Sequence, residues 1–243
     1  GDVYKRQDKQ IIQTLKRFGM ESDGHIIYQT RPDRQAAYQA ALDQLTQQEL
    51  IYPCTCTRAM LKGLTAYPGT CAIHQADTSK PHSMRVAVSD LTIEFNDIIQ
   101  GHQQQNLKTS CGDFNIKRKD GLFSYQLAVV VDDANQHITE VVRGIDIMDS
   151  TPRQIYLNQL LGNKQPTYAH FPVIVNNDGN KLSKQNHAKP ITNEDPLTAT
   201  KIILELLGQD IPVLKTSSQS ELLKFAISNW NIQPLSGVSH INY

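Results

Sequence analysis

Residues 120–133 read Asp-Gly-Leu-Phe-Ser-Tyr-Gln-Leu-Ala-Val-Val-Val-Asp-Asp, a stretch in which apolar residues run together up to a pair of acids. A continuous apolar run of this length is typical of a strand buried on both faces of a parallel sheet. We therefore predict a strand over Phe123–Val131, closed by Asp132 and Asp133. Because a parallel sheet needs helices on both faces, this segment favours an α/β fold.

The segments on either side supply those helices and further strands. Helical periodicity, with proline or capping residues at the starts and glycine at the ends, predicts helices over residues 8–18, 32–51, 151–161, 197–207 and 222–227. Strands are predicted over residues 84–88, 91–95, 113–117, 137–142 and 169–175, with a further candidate at 25–28 and a polar loop at 101–110. Strands that alternate with helices indicate an α/β sheet, here interrupted by a β-rich insertion.

The composition excludes several classes of protein. Hydrophobic residues make up 39% and charged residues 20% of the 243 residues, so the chain is neither disordered nor fibrous. No apolar run is long enough to span a bilayer, and no signal peptide is recognisable; we expect a cytoplasmic monomer that needs no membrane.

The charges balance, with 24 basic against 24 acidic residues, so a nucleic acid would have to be met by a local patch. The run Lys117-Arg118-Lys119 is one candidate, although three charges in a row are usually a solvated turn.

Three of the four cysteines are clustered, at Cys54, Cys56 and Cys71. Zinc takes four donors in a tetrahedron, and thiolates from a short knuckle and a second loop satisfy that geometry, so the spacing favours a metal site over a disulfide framework. The fourth donor stays open between His74 and Tyr67, with Cys111 not excluded. The alternative is that these are buried reduced thiols that pack as small apolar side chains.

Other side chains suit the binding of phosphate and carboxylate. The loop Asp178–Lys184 contains a glycine and two lysines with a hydroxyl between them, which can wrap a polyphosphate, although a solvated basic turn has the same composition. Arg143 follows a predicted strand and is suited to bidentate capture of a carboxylate. Tyr125 lies within the predicted apolar strand, where its hydroxyl needs a partner.

Four segments, in their order along the chain, resemble the glutamyl branch of the class I aminoacyl-tRNA synthetases. They are Cys54-Thr55-Cys56-Thr57-Arg58, the run 120–133, Val142-Arg143-Gly144 and Lys181-Leu182-Ser183-Lys184. Within that branch, the run Lys181–Ala188 (KLSKQNHA) and the cysteine pair are most similar to the glutamyl-Q tRNA(Asp) synthetases. The similarity extends from roughly residue 8 to the C-terminus.

The resemblance implies an enzyme that activates L-glutamate with ATP and Mg²⁺. It transfers the glutamyl group to the queuosine base at the wobble position of tRNA(Asp), which modifies the tRNA without charging its 3′ end. On this interpretation Lys181 and Lys184 are catalytic, Ser183 and Lys184 contact ATP, and Tyr125 and Arg143 bind glutamate. The resemblance also implies a Zn²⁺ site formed by four ligands: Cys54, Cys56, Tyr67 and Cys71.

The implied fold is α/β, with a Rossmann-type catalytic domain, a zinc-bearing β-rich insertion and a small helical C-terminal region. We predict that residues 1–52 are the remainder of the first half of the catalytic domain and that residues 53–118 are the zinc-containing insertion. Residues 119–190 are the second half with the loop at 181–184, and residues 191–243 are the helical region.

Two rival functions are a fragment of an ordinary glutamyl-tRNA synthetase and a non-catalytic zinc-containing RNA-binding module. The ordinary enzyme continues into a large anticodon-binding region, whereas only residues 185–243 follow Lys184 here, which favours the modifying enzyme. The candidate substrate residues Tyr125, Arg143 and Lys184 argue against a pure RNA-binding module.

One motif of the family has no counterpart in residues 1–243. Class I synthetases carry a HIGH-like motif at the end of their first strand, where it contacts ATP. Gly24-His25-Ile26-Ile27 is superficially similar but lies after the helix that normally follows the motif. We therefore expect the first strand, the motif and a further glutamate contact to be missing, and residues 1–7 match nothing expected of the family.

Losing the first strand would remove one wall of a Rossmann-type ATP pocket. We expect residues 1–243 to form little or no glutamyl-adenylate, as measured by ATP–pyrophosphate exchange with glutamate. Robust exchange would contradict this expectation.

Overall fold

Helices and strands alternate in the computed structural model, which describes residues 7–176, 178–182, 191–212 and 218–243. The helices are α1 (Gln7–Arg17), α2 (Pro32–Gln47), α3 (Thr70–Ile73), α4 (Leu107–Ser110), α5 (Tyr125–Asn135), α6 (Thr151–Leu161), α7 (Pro196–Leu206) and α8 (Gln219–Ser228). The strands are β1 (Ile51–Cys54), β2 (Ser83–Val86), β3 (Thr92–Asp97), β4 (Gly101–Asn106), β5 (Phe114–Lys117), β6 (Glu140–Gly144), β7 (Thr167–Phe171), β8 (Val173–Val175) and β9 (His240–Asn242). The predicted mixture of helices and strands is confirmed.

The chain divides into two compact units, which we call the central unit (Ile27–His170) and the terminal unit (Gly1–Ile26 with Phe171–Tyr243). The four segments expected from the sequence, 1–52, 53–118, 119–190 and 191–243, stay a prediction.

Two sheets organise the central unit. A four-stranded sheet has the order β4-β3-β7-β6, and a three-stranded antiparallel sheet has the order β1-β2-β5. β3 is antiparallel to β4 and runs parallel to β7, where Asp97 is paired with Tyr168. A shared core contains fully buried side chains from strands and helices alike, among them Tyr38, Leu45, Leu107, Ile116, Leu127, Ile155 and Leu157. The end of β3 therefore lies beside the start of β7.

The strand predicted over Phe123–Val131 is wrong, because this segment forms helix α5. Ser124 caps the helix, its hydroxyl accepting a hydrogen bond from the Leu127 N–H at 3.4 Å. The helix packs against α2 and α6, and its apolar residues are buried on more than one face. A helix buried in this way has the same continuous apolar pattern as a buried strand, so the pattern alone does not separate the two.

The polar loop predicted over residues 101–110 is also wrong. Residues 101–106 form β4, paired with β3 in continuous register from Thr92 with Asn106 to Asp97 with Gly101. β4 lies at the end of the sheet's strand order and its side chains are not buried, so glutamines are tolerated there. Pairing with β3, whose Ile93 and Phe95 are buried, overrides the low strand propensity of this segment.

Smaller differences follow from local chemistry. The strand predicted over residues 169–175 is interrupted at Pro172, which has no N–H to donate, and becomes β7 and β8. The candidate strand at residues 25–28 does not form, and β1 was not predicted. The helix predicted over 32–51 ends at Gln47, where the chain turns into β1.

The predicted helix boundaries are otherwise confirmed within a few residues. α2 and α6 begin with proline in the first turn, and Ser218 caps α8 by accepting a hydrogen bond from the Glu221 N–H. Gly162 ends α6 with a φ of 71°, a backbone conformation that glycine adopts without steric cost.

The terminal unit contains α1, α7, α8 and the parallel pair β8–β9. Its small core is formed by Leu204, Leu222 and Ala226. The Gln219 side chain donates to the Phe18 carbonyl at 3.0 Å, which joins α8 to the end of α1. Among the residues that the structure describes, no helix combines the length and the apolar character needed to cross a bilayer.

A buried charged group joins α2 to α5. The Asp132 carboxylate accepts hydrogen bonds from Arg34 at 2.6 and 2.9 Å, from the Tyr38 hydroxyl at 2.7 Å and from Gln29 at 3.0 Å. Arg34 is 9% and Asp132 is 7% exposed. The acid that closes the apolar run is therefore the partner of a buried arginine.

Replacing Asp132 leaves that arginine without its counter-charge. We expect Asp132→Ala to lower the free energy of unfolding by about 3–5 kcal/mol, measured by urea denaturation. Asp43→Ala on the exposed face of α2 is the control and should stay within about 0.5 kcal/mol of the parent chain. Equal effects of the two substitutions would show that removing one partner of the buried pair costs no more stability than removing an exposed acid.

Candidate functional site

Three cysteine thiols lie together in the central unit. Cys54 ends β1, Cys56 lies in the irregular segment that follows it, and Cys71 is in α3. Their sulfur atoms lie within 4.8 Å of one another, the only such group of potential metal ligands in the described part of the chain. Neither His74 nor Cys111 contributes an atom to the group, and the Cys111 thiol points to the carbonyls of Leu107 and Gly112.

The Tyr67 hydroxyl lies against the same thiols. Its oxygen is 3.4 Å from the Cys54 sulfur and 3.6 Å from the Cys56 sulfur, and it accepts the Cys71 N–H at 3.0 Å. The Cys56 and Cys71 sulfurs are 3.4 Å apart. Three sulfurs and one oxygen converge at the spacing that one tetrahedral ion requires, so the donors present fit a metal centre.

The ionisation of the group is uneven. Burial raises the pKa of the Cys56 thiol and that of the Tyr67 hydroxyl. Burial acts on Cys71 in the same direction, but hydrogen bonds from Tyr67 and from the Thr55 backbone outweigh it and lower the pKa of the Cys71 thiol to about 6. A thiolate at Cys71 is the form that binds a metal.

Tyr67 is fixed by a close backbone contact with Gly112. The Tyr67 N–H donates to the Cys111 carbonyl at 3.0 Å, and Tyr67 and Gly112 form an isolated parallel bridge. The Arg85 guanidinium stacks over the Tyr67 ring, 3.8 Å from its centroid. A Cβ atom on Gly112, which has a φ of 64°, would lie 2.2 Å from the Tyr67 carbonyl oxygen. Only glycine permits this approach.

A second group of polar side chains surrounds Arg143, the second-last residue of β6. Its Nε donates to His170 Nε2 at 3.1 Å, Nη2 to Thr151 Oγ1 at 2.7 Å, and Nη1 to the Tyr125 hydroxyl at 3.4 Å. The predicted position of Tyr125 inside a strand is wrong. Tyr125 is the first residue of α5 and is half exposed. The structure therefore brings Tyr125 and Arg143 together, although they are eighteen residues apart. An exposed hydroxyl beside a guanidinium is suited to a carboxylate ligand.

Two residues that support Arg143, Asp97 and His170, were not predicted from the sequence. His170 Nδ1 lies 2.6 Å from Asp97 Oδ2, and both side chains have no exposed surface. Asp97 Oδ1 accepts the N–H groups of Ile99, Gln100 and His170 at 3.0, 2.9 and 3.1 Å. The only signal was a histidine within the apolar run 169–175, because a buried polar side chain requires a partner.

Part of the candidate phosphate loop is described. The Asn176 side chain accepts the N–H groups of Asp178 and Asn180, and the chain then returns beside β8, with Lys181 bridged to Val175 and the Leu182 N–H on the Ile174 carbonyl. Lys181 thus follows a tight turn in the terminal unit. Ser183 and Lys184 lie outside the described residues.

The basic run at 117–119 makes contacts within the protein. Lys117 donates to the Gln39 side chain at 3.0 Å, Lys119 to the Thr55 carbonyl at 2.6 Å, and Arg118 is paired with Asp120 at 2.6 Å. The three cations therefore contribute to the local structure.

Comparison with known proteins identifies one family. The family described as tRNA synthetases class I (E and Q), catalytic domain, matches residues 70–208. A glutamyl-Q tRNA(Asp) synthetase of Pseudomonas putida (strain GB-1) is 43% identical over 222 residues, which are 90% of this chain and 74% of that protein. A protein of the same name from Pseudomonas aeruginosa (strain PAO1) is 44% identical over 225 residues, 91% of this chain and 75% of that protein.

Solved structures are similar in fold. A glutamate tRNA ligase from Elizabethkingia meningosepticum, solved in complex with its amino acid, superposes with a TM-score of 0.76 at 19% identity. The match covers 98% of this chain and 57% of that one, so the chain spans little more than half the length of the solved ligase. A glutamate–tRNA synthetase from Elizabethkingia anophelis gives a TM-score of 0.75 at 20% identity, covering 98% of this chain and 58% of that one. These likenesses establish the predicted class I catalytic fold.

The contact between Gly112 and Tyr67 predicts a specific intolerance. We expect Gly112→Ala to lower the free energy of unfolding by about 2–4 kcal/mol, because the new methyl group meets backbone atoms as well as an unfavourable φ. Gly121→Ala is the matched control, since Gly121 has a φ of 84° and its Cβ would meet nothing within 4 Å. Its loss should be about 1–2 kcal/mol, from conformation alone. Equal losses in urea denaturation would contradict the steric argument.

Proposed function

The chain belongs to the family of class I tRNA synthetases for glutamate and glutamine, whose members are ligases, and we propose that it activates glutamate with ATP. We propose further that the glutamyl group is transferred to the queuosine base at the wobble position of tRNA(Asp). The observation that carries the first step is the Tyr125–Arg143 pair. The names and the 42–44% identity of the Pseudomonas relatives support the second.

Arg143 and Tyr125 supply the glutamate contacts in this proposal. The guanidinium is held at one edge by His170 and Thr151, while the weak contact of Nη1 with the Tyr125 hydroxyl lies on the exposed side. A carboxylate that meets Arg143 there forms charge-assisted hydrogen bonds and also receives the tyrosine hydroxyl. The pair thus favours an anionic substrate of amino-acid size.

Activation requires in-line attack of the glutamate α-carboxylate on the α-phosphorus of ATP. One carboxylate oxygen forms the new P–O bond as the bond to the β-phosphate breaks and pyrophosphate leaves. No side chain acts as a nucleophile; the protein contributes position and charge. We assign charge stabilisation on the pyrophosphate to Lys184, with Lys181 and Ser183 as further phosphate contacts, on the resemblance of this loop. ATP would enter as its Mg²⁺ complex.

Transfer completes the proposed reaction. A hydroxyl of the queuosine cyclopentene ring attacks the acyl carbon of glutamyl-adenylate, the new ester bond forms, AMP leaves, and the hydroxyl proton passes to solvent. The two rival functions are less well supported. Likeness to the solved glutamate ligases at 19–20% identity extends to fold alone, and the grouping of Tyr125 with Arg143 has no use in a module that only binds RNA.

The proposal is tested by identifying which tRNA, and which part of it, receives the glutamyl group. With labelled glutamate, ATP and protein at concentrations near that of the tRNA, so that slow activation is still detected, we expect label on queuosine-containing tRNA(Asp). The same tRNA without queuosine should stay unlabelled, and removal of the 3′-terminal adenosine should not reduce labelling. Label on the 3′ end of tRNA(Glu) would contradict the proposal in favour of the ordinary synthetase, and equal label on tRNA(Asp) with and without queuosine would contradict the proposed acceptor.

We propose that the thiol group binds zinc through Cys54, Cys56, Cys71 and Tyr67. Three sulfurs and a phenol oxygen form a closed tetrahedral set, which is typical of a structural ion. Zinc would hold β1, the irregular segment that follows it and α3 together, and it would take no part in glutamate activation.

Metal content tests the zinc assignment. We expect about one zinc ion per chain by elemental analysis and loss of most of it in Cys54→Ser, because a closed site depends on each ligand. Cys111→Ser is the matched control, since its thiol lies outside the group, and should keep its zinc. Retention of zinc by Cys54→Ser, or its loss from Cys111→Ser, would contradict the ligand set.

A further inference from the structure

Arg143 is held by acceptors that carry no charge of their own. His170 Nε2 and Thr151 Oγ1 take two of its N–H groups, at 3.1 and 2.7 Å, and these two acceptors are themselves 3.0 Å apart. Both are fully buried. The third contact, to the Tyr125 hydroxyl, is the longest at 3.4 Å. The guanidinium is therefore oriented from behind by two neutral acceptors, and the Asp133 carboxyl interacts with its charge electrostatically.

His170 accepts from Arg143 only in one proton arrangement. A neutral imidazole has one N–H and one lone pair, so Nε2 accepts only if the proton is on Nδ1. Asp97 imposes this arrangement: its Oδ2 lies 2.6 Å from Nδ1 and accepts that proton's hydrogen bond. Asp97 Oδ1 is already bonded to three backbone N–H groups, which fixes the carboxylate in place.

The charge states agree with this geometry. Burial, the largest influence on His170, lowers the pKa of the imidazole and outweighs the raising effect of Asp97. For Asp97, burial would raise the pKa, but the hydrogen bonds from His170 and the backbone outweigh it and hold the pKa below its ordinary value. A neutral histidine beside an ionised carboxylate is thus the expected state near pH 7.

We propose that Asp97 and His170 are positioning residues, which act through Arg143 by presenting the His170 Nε2 lone pair to its Nε–H. This fixes the guanidinium so that Nη1 faces the Tyr125 side, where a substrate carboxylate binds. The proposal rests on the proposed function, since it assigns Arg143 to glutamate. Neither residue touches substrate.

An isosteric substitution of Asp97 distinguishes a role in positioning Arg143 from a role in packing alone. Asp97→Asn keeps an oxygen for the backbone N–H groups but turns an amide NH₂ toward His170 Nδ1. The imidazole must then carry its proton on Nε2, where it meets the Arg143 Nε–H. We expect glutamate binding, measured by calorimetry, to weaken roughly tenfold to a hundredfold, the loss of one charge-assisted hydrogen bond. ATP binding should not change.

Rescue and a packing control complete the experiment. His170→Gln has an amide oxygen that can accept from Arg143 without moving a proton between ring nitrogens, so adding it to Asp97→Asn should restore part of the glutamate affinity. Gln154→Leu removes a buried polar side chain that contacts Gln126 and not Arg143. It should lower stability and leave glutamate affinity unchanged.

Nitrogen-15 NMR of the His170 ring shows which ring nitrogen carries the proton, and it needs no substrate. We expect His170 to be protonated on Nδ1 alone in the parent chain and on Nε2 in Asp97→Asn, with the Arg143 Nε–H signal protected only in the parent. Protonation on Nε2 in the parent, or unchanged glutamate affinity after the tautomer has switched, overturns the proposal. A parent chain that binds no glutamate refutes the proposed function, and the Arg143 signal then decides the positioning claim by itself.

Discussion

The buried carboxylate of Asp97 is the constraint on which the candidate substrate site depends. One of its oxygens closes the turn after β3 by accepting the backbone N–H groups of Ile99 and Gln100, and it also accepts the N–H of His170 in β7. The other oxygen holds the His170 ring. A charge in a site without solvent is stable only when it is fully hydrogen-bonded, and here the same bonds join two strands and orient the side chain that supports Arg143.

The cluster of Cys54, Cys56, Cys71 and Tyr67 in the central unit depends on a different set of contacts. Its position depends on backbone geometry, since Tyr67 reaches the sulfurs only because Gly112 lets the two chain segments approach closely. The thiols are supplied by β1, the irregular segment that follows it, and α3. An ion bound as we propose would stabilise these short segments by linking them through its ligands.

Sequence predicted local structure better than long-range contacts. Helix ends were found because proline, glycine and capping residues act on their immediate neighbours, as at Ser218. α5 was predicted as a strand because a helix buried on several faces has no amphipathic period. Tyr125 and Arg143 were singled out as polar side chains beside predicted strands, and their role as glutamate contacts came from the family resemblance. The partners Asp97 and His170 are 73 residues apart, and no spacing rule joins them.

A crystal structure of the chain with glutamate bound would test the central claim most directly. The account predicts a glutamate carboxylate within hydrogen-bond distance of Arg143 Nη1 and the Tyr125 hydroxyl, while Arg143 Nε remains on His170 Nε2. Glutamate bound elsewhere in the chain, or an Arg143 that leaves His170 to reach its ligand, would contradict it.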